Sequence, residues 1–441
     1  MMYKFSKFNI YFDHKDHTYL YNTLSTALVQ LDDQIVSCVK ENRICDLDEN
    51  IRESMKLMKF ITDENINETD VFIYHYDQFR YEHTVKTFSI TLIPTYNCNL
   101  ACPYCMQGHS KSSHKMTSKE IDIILLFMEK YIEEHNSVKT LQINLFGGEP
   151  MLYKEILYEF CDKTFALAQK YSLSCNYQMT SNMTLLDEQM ISYIEKYKIG
   201  IQISIDGTPE QHDRKRIYKD GSGTYQLILD NLRTLCEKGL KDLLTIRVNI
   251  DETNIHDCEK IMNVLVPYSD DVYFGFIGTF KGSNDNFGDC IPAESYPTHV
   301  TETFSKCYKK FNMVNPKLFG RKTPCSMNSE GKFYIDSNLD VYKCETLVKR
   351  VDGRVGYLKE DGTLCKEYGF YSQSTFSPAK NKDCHDCVLL PMCAGGCPAK
   401  VYIAQGRKDG NLQVKHCMYT YEQVVLYLKN FIDDSKEEKS C

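Results

Sequence analysis

Three cysteines in one short segment are the residues of this chain best suited to chemistry. Residues 95–107 read TYNCNLACPYCMQ and place Cys98, Cys102 and Cys105 in C-x3-C-x2-C spacing. A cubane [4Fe–4S] cluster takes one cysteine thiolate on each iron, so three cysteines hold three irons and leave the fourth iron open for another ligand. Zinc sites prefer four ligands in paired spacings, and this segment offers three. The spacing therefore favours an open iron–sulfur cluster over zinc.

This spacing resembles that of the radical S-adenosylmethionine (SAM) enzymes, in which the amino and carboxylate groups of SAM fill the open iron. The resemblance implies that SAM is the cofactor and that Cys98, Cys102 and Cys105 hold its cluster. It also implies that Tyr104 contacts the adenine or the backbone nearby.

Polar residues that follow two later apolar runs match the same family. Gly147, Gly148 and Glu149 resemble the GGEP element that holds the SAM amino group. Glycines let backbone approach a ligand closely, and the carboxylate can accept from an ammonium. Ser181 and Asn182 offer polar groups suited to the SAM ribose or carboxylate, although a simple helix cap is an open alternative.

A fourth segment resembles the S-x-D-G…H-x-x-x-R pattern of peptide-modifying radical SAM enzymes, which include the anaerobic sulfatase-maturating enzymes. By that resemblance, Ser204 and Arg216 contact SAM, and Arg216 neutralises its carboxylate in a charge-assisted pair. Asp206 and His212 are expected only to set the turn geometry.

The elements that must position these residues alternate between strand and helix from about residue 86. Such alternation predicts a parallel sheet with right-handed crossovers, whose functional loops follow the carboxyl ends of the strands. Six units match the α/β fold of the family, a partial (β/α)6 barrel. The predicted strands are 89–93, 141–146, 174–180, 201–205, 244–250 and 272–277, and helical patterns include 121–132, 155–170 and 225–238.

A second set of cysteines begins after the predicted barrel, and its order resembles the SPASM domain of radical SAM enzymes that act on peptides. The resemblance implies two auxiliary [4Fe–4S] clusters, and hence three clusters in all. It assigns Cys325, Cys344 and Cys397 to auxiliary cluster I, and Cys384, Cys387, Cys393 and Cys417 to auxiliary cluster II. A zinc ribbon is the alternative.

Two departures from the sulfatase-maturating pattern bear on the reaction. Those enzymes carry an extra cysteine where this chain has Gly331, and an aspartate base where it has Glu345. Glu345 is therefore the expected catalytic carboxylate, and auxiliary cluster I is left with three ligands. An open iron there can bind a substrate thiolate and position it for bonding to a carbon radical. A non-cysteine group, water or Cys365 filling the gap is the alternative.

The first 85 residues predict a small α/β unit. Runs 8–12 and 19–21 predict strands around a polar turn at 14–17, Ser25 is the predicted cap of a helix through Ile35, and 51–60 predicts a second helix. Position, size and element order resemble a winged-helix leader-peptide recognition domain; an N-terminal decoration is the alternative. The predicted domains are residues 1–85, a radical SAM barrel over 86–300 and a SPASM domain over 301–441.

Composition excludes several other classes of function. A net charge of −8 gives no bulk attraction to nucleic acid. No apolar run approaches the ~20 residues of a membrane span, and the N-terminus lacks the apolar core of a signal peptide. We therefore expect a cytoplasmic protein with neither a nucleic-acid nor a membrane partner. Twenty cysteines without an export signal point to metal rather than to disulfides.

Together the resemblances predict an enzyme, a radical SAM–SPASM peptide maturase. In that family a 5′-deoxyadenosyl radical removes hydrogen from a carbon of the substrate. The specific hypothesis is cysteine-to-carbon thioether crosslinking of a ribosomally made precursor peptide with a leader, with electrons from a flavodoxin- or ferredoxin-type donor. Sulfatase maturation to formylglycine, peptide epimerisation or carbon–carbon crosslinking, and a non-catalytic iron–sulfur carrier are the alternatives.

Overall fold

The computed structural model describes residues 2–105, 114–276, 325–350, 352–404, 417 and 419–437. The chain divides into two compact units. The first unit comprises residues 1–80, 314–324 and 376–441, and the second comprises 81–313 and 325–375. The predicted domain boundary at residue 300 lies outside the described residues, and the division into three functional domains stays a prediction.

The second unit is built on six parallel strands that pair in chain order, as the alternating pattern predicts. Each strand hydrogen-bonds to the next one along the chain. The strands are Thr87–Ile93, Thr140–Leu145, Ser174–Ser181, Gly200–Ser204, Leu244–Ile250 and Asp271–Phe276. The helices that cross between them are Ser118–Glu134, Lys154–Lys170, Glu188–Tyr197, Pro209–Lys215, Tyr225–Glu237 and Cys258–Leu265. The six predicted strands and three predicted helices are therefore confirmed to within a few residues.

The two faces of this sheet differ in polarity because side chains alternate along each strand. Phe88, Ile90 and Leu92 are fully buried and pack under the helices. On the opposite face, Asn144 donates to the hydroxyl oxygens of Ser89 (3.2 Å) and Thr91 (3.3 Å). We call this opposite, polar face the interior face of the sheet.

Four further strands extend the same sheet, which the sequence pattern did not predict. Lys332–Asp336 pairs in parallel with Thr87–Ile93, and three antiparallel strands follow it. Phe333 packs edge-on against Phe127, with ring centroids 5.3 Å apart, and also contacts Phe88. The following strands are Asp340–Tyr342, Gly356–Leu358 and Leu364–Lys366, and the helix Tyr368–Thr375 comes after them.

The first unit contains a three-stranded antiparallel sheet and several helices. Its strands are Asn9–His14, His17–Asn22 and Leu28–Leu31, and a separate pair joins Tyr3–Phe5 to Ile61–Asp63. Its helices are Asp33–Lys40, Glu49–Leu57, Leu390–Cys393, Pro398–Ala404 and Tyr421–Glu437, together with Glu68–Lys86, which begins in this unit. No helix within the described ranges is long and apolar enough to cross a lipid bilayer.

Short 3-10 turns connect the elements of both units. They are Ile44–Asp46, Pro150–Tyr153, Lys241–Leu243, Ile255–Asp257, Ser326–Asn328, Glu345–Leu347, Pro378–Lys380 and Lys382–Cys384.

The predicted helix from Ser25 is wrong, whereas the polar turn before it is confirmed. Lys15 and Asp16 form the hairpin turn with φ values of 47° and 61°. Leu28–Leu31 is a strand that pairs with His17–Asn22. The helix starts only after Asp32, whose carboxylate accepts from the N–H of Ile35 at 2.8 Å. An aspartate cap and cross-strand pairing override the apolar spacing that favoured an earlier helix.

We expect Phe333→Ala to destabilise the whole second unit by about 3 kcal/mol or more, because it empties a buried aromatic site between Lys332–Asp336 and the first parallel strand. Urea unfolding followed by circular dichroism measures the change. The matched control is Tyr357→Ala, which truncates a 40% exposed ring of the same extension. Equal midpoints for F333A and the wild type would contradict the idea that the extension and the parallel strands unfold together.

Candidate cofactor site

Backbone contacts hold the cysteine loop on both sides. The loop leaves the first parallel strand at Ile93, and its Thr95 carbonyl accepts from the N–H of Gly148 at 3.0 Å. The Asn97 carbonyl accepts from Glu149 N–H at 2.9 Å, and Ala101 N–H donates to Ile217 at 2.8 Å. The loop is thus fixed to the segment after the second strand and to the segment after Arg216.

The two glycines of the predicted GGEP element are required by this close approach. A Cβ at Gly148 would lie 2.1 Å from the carbonyl oxygen of Asn97. A Cβ at Gly147 would lie 2.5 Å from that of Thr95, and the φ of +144° at Gly147 disfavours other residues. The sequence predicts that these glycines approach a ligand; the backbone that they approach in this structure is that of the cysteine loop.

The environment of Cys98 and Cys102 suits the binding of an iron–sulfur cluster. Cys98 Sγ accepts from the N–H of Leu100 at 3.3 Å and lies 3.7 Å from Asn182 Nδ2. Burial raises the pKa of Cys98, and it raises the pKa of Cys102 to about 11 against the opposing charge of Arg216. Metal binding must therefore displace protons from these thiols, and the N–H donors near Cys98 would stabilise the thiolate.

Among the residues that the structure describes, no group of three or more histidine, cysteine, aspartate or glutamate side chains is arranged to hold a single metal ion. In a cubane cluster each cysteine thiolate binds a different iron, so the cysteines need not converge on one point.

Glu149 binds the end of the third parallel strand. Its buried carboxylate accepts from Ser181 Oγ at 2.9 Å, from Asn182 N–H at 2.7 Å and from Met151 N–H at 3.0 Å. Burial raises the pKa of Glu149 above its usual value, although these hydrogen bonds oppose the shift. The three predicted SAM contacts Glu149, Ser181 and Asn182 are therefore brought together beside Cys98.

The helix-cap alternative for Ser181 and Asn182 is wrong. The next helix is Glu188–Tyr197, and its cap is Asp187, which accepts from Met190 N–H at 2.8 Å. The Asn182 side chain donates instead to Asn99 Oδ1 at 2.8 Å, within the cysteine loop. It therefore helps to fix the loop that carries Cys98.

A buried acid–phenol–guanidinium group lies on the other side of the loop. Tyr104 donates its hydroxyl hydrogen to Asp206 Oδ2 and accepts from Arg216 Nη1 at 2.8 Å. Arg216 Nη1 lies 3.7 Å from Asp206 Oδ2. Burial lowers the pKa of Arg216, but Tyr104 and Asp206 outweigh it and raise the pKa overall. Tyr104 and Arg216, both predicted SAM contacts, are thus in direct contact.

His212 holds the turn that carries Arg216 and is neutral. Burial and the nearby Arg216 charge lower the pKa of His212 to about 4. Its Nδ1 accepts from Asp206 N–H at 3.1 Å, so Nε2 carries the proton and donates to Thr224 Oγ1 at 3.0 Å. The expectation that His212 sets turn geometry agrees with these contacts.

The interior face carries a set of hydrogen-bonded polar side chains that the sequence analysis did not identify. Tyr273 donates to Gln202 Oε1 at 2.7 Å, and Arg247 Nε donates to Asn249 Oδ1 at 3.0 Å. Arg247 pairs in register with Ser204, a predicted SAM contact that lies partly exposed at the end of the fourth strand. The missed signal was the placement of polar residues at alternate positions of apolar strands.

Glu345, the predicted catalytic carboxylate, begins the turn that follows Cys344. The side chain of Glu345 is exposed to solvent on one side. The protein around the carboxylate nevertheless raises its pKa, and the charge of Arg247 opposes this shift. Glu345 also acts electrostatically on Tyr273 and Tyr334. The carboxylate therefore belongs to the same electrostatic neighbourhood as the interior face.

The predicted auxiliary cysteines fall in both units. In the second unit, burial and the nearby Cys325 raise the pKa of Cys344 to about 12. In the first unit, burial raises the pKa of Cys393 to about 12, and Cys387, Cys384 and Cys417 add to this effect. The four predicted ligands of auxiliary cluster II are thus electrostatic neighbours, and the assignment of Cys397 to auxiliary cluster I stays a prediction.

Cys365 is poorly placed to complete a site at Cys344. It lies on Leu364–Lys366, which is two strands away from Asp340–Tyr342 in the sheet. Two strand spacings amount to about 10 Å, and Cys344 lies beyond the other end of its strand.

Comparisons with known proteins agree with this geometry. Residues 92–265 match the Radical SAM superfamily. A cysteine-type anaerobic sulfatase-maturating enzyme of Clostridium novyi is 23% identical over 71% of this chain and 88% of its own length. The radical SAM cyclopropyl synthase TigE of Paramaledivibacter caminithermalis is 23% identical over 74% of this chain and 70% of its own.

Two solved structures share the fold. Native anSMEcpe with bound AdoMet and Cp18Cys peptide superposes with a TM-score of 0.62 and 17% identity, covering 80% of this chain and 99% of that one. SuiB of Streptococcus suis bound to S-adenosylmethionine gives a TM-score of 0.54 and 15% identity, covering 94% of this chain and 99% of that one.

We expect Gly148→Ala to abolish cluster binding at the cysteine loop, because the new Cβ would meet the Asn97 backbone oxygen at 2.1 Å and displace the loop. Anaerobic reconstitution followed by iron and sulfide analysis tests this: iron should fall to the level of a triple Cys98→Ala, Cys102→Ala, Cys105→Ala variant. Gly200→Ala is the control, since the atoms nearest to its Cβ would belong to the flexible Gln178 side chain, the first of them at 3.0 Å. Full iron content in G148A would refute the steric argument.

Proposed function

We propose that this chain, which is a radical SAM enzyme, installs cysteine-to-carbon thioether crosslinks in a ribosomally synthesised precursor peptide. The observation that supports the proposal best is the change at Gly331 and Glu345. The sulfatase-maturating pattern has a ligand cysteine at the first position and an aspartate at the second. This chain keeps a carboxylate and loses the ligand, which suits a site that binds a substrate thiolate.

The cofactor site supplies the starting radical. When bound, SAM and a [4Fe–4S] cluster provide a species that removes hydrogen from an unactivated carbon. Cys98, Cys102 and Cys105 hold the cluster, and Glu149 fixes Ser181 and Asn182 beside Cys98. Arg216 presents a buried positive charge for the SAM carboxylate, and Tyr104 contacts the adenine or the backbone near it. The glycines bring these groups to the cysteine loop.

The interior face provides the substrate site in this proposal. Arg247, Tyr273 and Gln202 offer hydrogen-bonding groups for a peptide backbone or a polar side chain. Glu345, with a raised pKa, accepts the thiol proton as the substrate sulfur is delivered. Cys325 and Cys344 contribute to auxiliary cluster I, and Cys384, Cys387, Cys393 and Cys417 form auxiliary cluster II. When bound, the auxiliary clusters would supply a site for substrate sulfur, an acceptor for the surplus electron, or both.

The first unit recognises the leader of the peptide in this proposal. Its three-stranded sheet has Asn9–His14 at one edge and Leu28–Leu31 at the other. The C-terminal helix covers the first edge: Tyr421 donates to the Tyr11 carbonyl at 2.9 Å, and Asp433 pairs with His14 at 2.7 Å. A peptide strand that extends this sheet therefore adds to Leu28–Leu31.

Sulfatase maturation is the second candidate, and the relatives support it equally. Cysteine-type and serine-type sulfatase-maturating enzymes both match more than two thirds of this chain. The reaction would oxidise a substrate cysteine or serine to formylglycine and would need no open iron on auxiliary cluster I. The two candidates differ in their products, so a single peptide experiment separates them.

We expect the anaerobically reconstituted, reduced protein to remove two hydrogens, about 2 Da, from a cysteine-rich precursor peptide for each thioether formed. The product should resist thiol alkylation at one cysteine, because that sulfur is bonded to carbon. Liquid chromatography with mass spectrometry measures the mass, and deoxyadenosine is quantified in the same samples.

A sulfatase-motif peptide incubated in parallel provides the control. If an aldehyde forms on that peptide while the precursor peptide stays unchanged, the proposal of thioether formation is wrong and formylglycine formation is the function. Deuterium uptake from heavy water without a net loss of hydrogen would indicate epimerisation. Deoxyadenosine production with both peptides unchanged would contradict both candidates.

We expect Gln30→Pro to weaken binding of the precursor leader at least tenfold. The ladder bond from Asn22 N–H to Ala27 and the pairing of Leu20 with Val29 direct the N–H of Gln30 away from the neighbouring strand, since antiparallel pairs alternate. Proline removes this outward donor and leaves the inner bonds intact. Fluorescence anisotropy of a labelled leader measures affinity.

Gln30→Ala is the matched control, because it removes the side-chain contact with Tyr19 (3.3 Å) but keeps the N–H. SAM cleavage without peptide should be the same in both variants and the wild type. Equal leader affinity for Q30P and Q30A would exclude strand addition at this edge.

A further inference from the structure

Asp206 lies where the cysteine loop, the fourth strand and the fifth strand meet. It follows the strand Gly200–Ser204, and its side chain is completely buried. The sequence pattern suggests only that it shapes a turn. Its contacts extend further, to both residues that the resemblance assigns to SAM on this side of the site.

Among the described residues, the donors to this carboxylate belong to two residues, Asn249 and Tyr104. Oδ1 accepts from the backbone N–H of Asn249 at 3.1 Å and from its side-chain Nδ2 at 2.8 Å. Oδ2 accepts from the hydroxyl of Tyr104. One oxygen is therefore committed to the fifth strand, and the other to the cysteine loop.

The backbone of Asp206 is fixed as firmly as its side chain. Its N–H donates to His212 at 3.1 Å, and its carbonyl accepts from Asn254 Nδ2 at 2.9 Å. Asn254 also donates to the carbonyl of Asn249 at 2.8 Å. The carboxylate cannot follow Tyr104 if the phenol moves, so Tyr104 must take the position that Asp206 sets.

Asp206 also compensates the buried positive charge of Arg216. A buried guanidinium is costly unless an anion lies nearby, and Asp206 Oδ2 is 3.7 Å from Arg216 Nη1. Arg216 donates to Tyr104 through Nη1, while its buried Nε has no hydrogen-bond partner among the described residues. Asp206 compensates the charge without using up the donors that a ligand carboxylate would need.

We infer that Asp206 is a positioning residue of the SAM site: it fixes the Tyr104 phenol and the Arg216 guanidinium in one arrangement, with Asn249 holding it in place. It acts through Tyr104 and Arg216 rather than by touching the reacting atoms. The inference rests on the SAM chemistry of the chain and is independent of which bond forms in the peptide.

Asp206→Asn tests the inference because no orientation of the amide satisfies both sides. Its NH2 group must face either the two donors of Asn249 or the Tyr104 hydroxyl and Arg216. We expect SAM affinity to fall about ten- to a hundredfold, as is usual for losing a buried hydrogen bond to a charged group. Equilibrium dialysis under anaerobic conditions measures affinity, and iron content is measured on the same samples.

Two comparisons separate positioning from a general loss of structure. Tyr104→Phe should weaken SAM binding, and the double variant D206N/Y104F should bind no more weakly than D206N, because both changes break one linkage. Glu68→Gln removes another buried carboxylate, which accepts from Ser6 and from the N–H of Lys7 in the first unit and shares no partner with Asp206. Its SAM affinity should stay within about twofold of the wild type.

The electron paramagnetic resonance spectrum of the reduced cluster gives a second readout. SAM should alter the spectrum in the wild type and E68Q at low concentration, and in D206N only at correspondingly higher concentration. If D206N fails to hold iron, Asn249→Ala replaces it, because that change removes only one of the two donors to Oδ1; a SAM affinity loss smaller than that of Y104F is expected.

Wild-type SAM affinity in D206N, or in N249A where D206N holds no iron, would overturn the inference. So would losses in D206N and Y104F that multiply in the double variant. A wild-type protein that binds and cleaves SAM but leaves every peptide unchanged would instead end the proposed thioether reaction and leave the role of Asp206 standing.

Discussion

The close approach of two backbone segments is the constraint on which the cofactor site depends. The N–H groups of Gly148 and Glu149 reach the carbonyls of Thr95 and Asn97, and the Cβ positions at Gly147 and Gly148 leave no room for a side chain. A loop without regular structure needs such external bonds, because fixing each of its residues costs about 1–2 kcal/mol of conformational entropy. The glycines are therefore required to hold the cysteine loop in place, whether or not a ligand is bound.

Burial makes the charged groups of the site depend on one another. Glu149, Asp206 and Arg216 are all withdrawn from water, and each is stabilised by donors or charges fixed on a different strand end. Removing one partner of such a set leaves another buried and uncompensated, which costs more than the contact itself contributes. Because parallel strands bring their carboxyl ends to one edge, the sheet supplies partners that the local sequence cannot.

The strands and motifs were predictable because each leaves a local signal. Apolar runs separated by helical patterns located all six parallel strands, and cysteine spacing located the cluster loop. The helix expected from Ser25 failed because cross-strand pairing of Leu28–Leu31 is a non-local interaction. The contacts of Asp206 with Tyr104 and Asn249 were out of reach for the same reason: they join residues 102 and 43 positions apart, which no spacing rule connects.

The extension of the sheet carries the residues that distinguish the two candidate reactions in the proposed function. The cysteine loop and the ends of the first four strands carry the predicted SAM contacts, and a sulfatase-maturating enzyme and a cyclopropyl synthase both match more than two thirds of this chain. Lys332–Asp336 adds to the first parallel strand, and the chain then turns to Cys344 and Glu345. In the proposed reaction this extension sets the position of Glu345, whereas the residues assigned to SAM lie on other elements. In the proposed function, the choice between thioether and formylglycine formation therefore depends on the extension and on the predicted auxiliary cysteines rather than on the cofactor site.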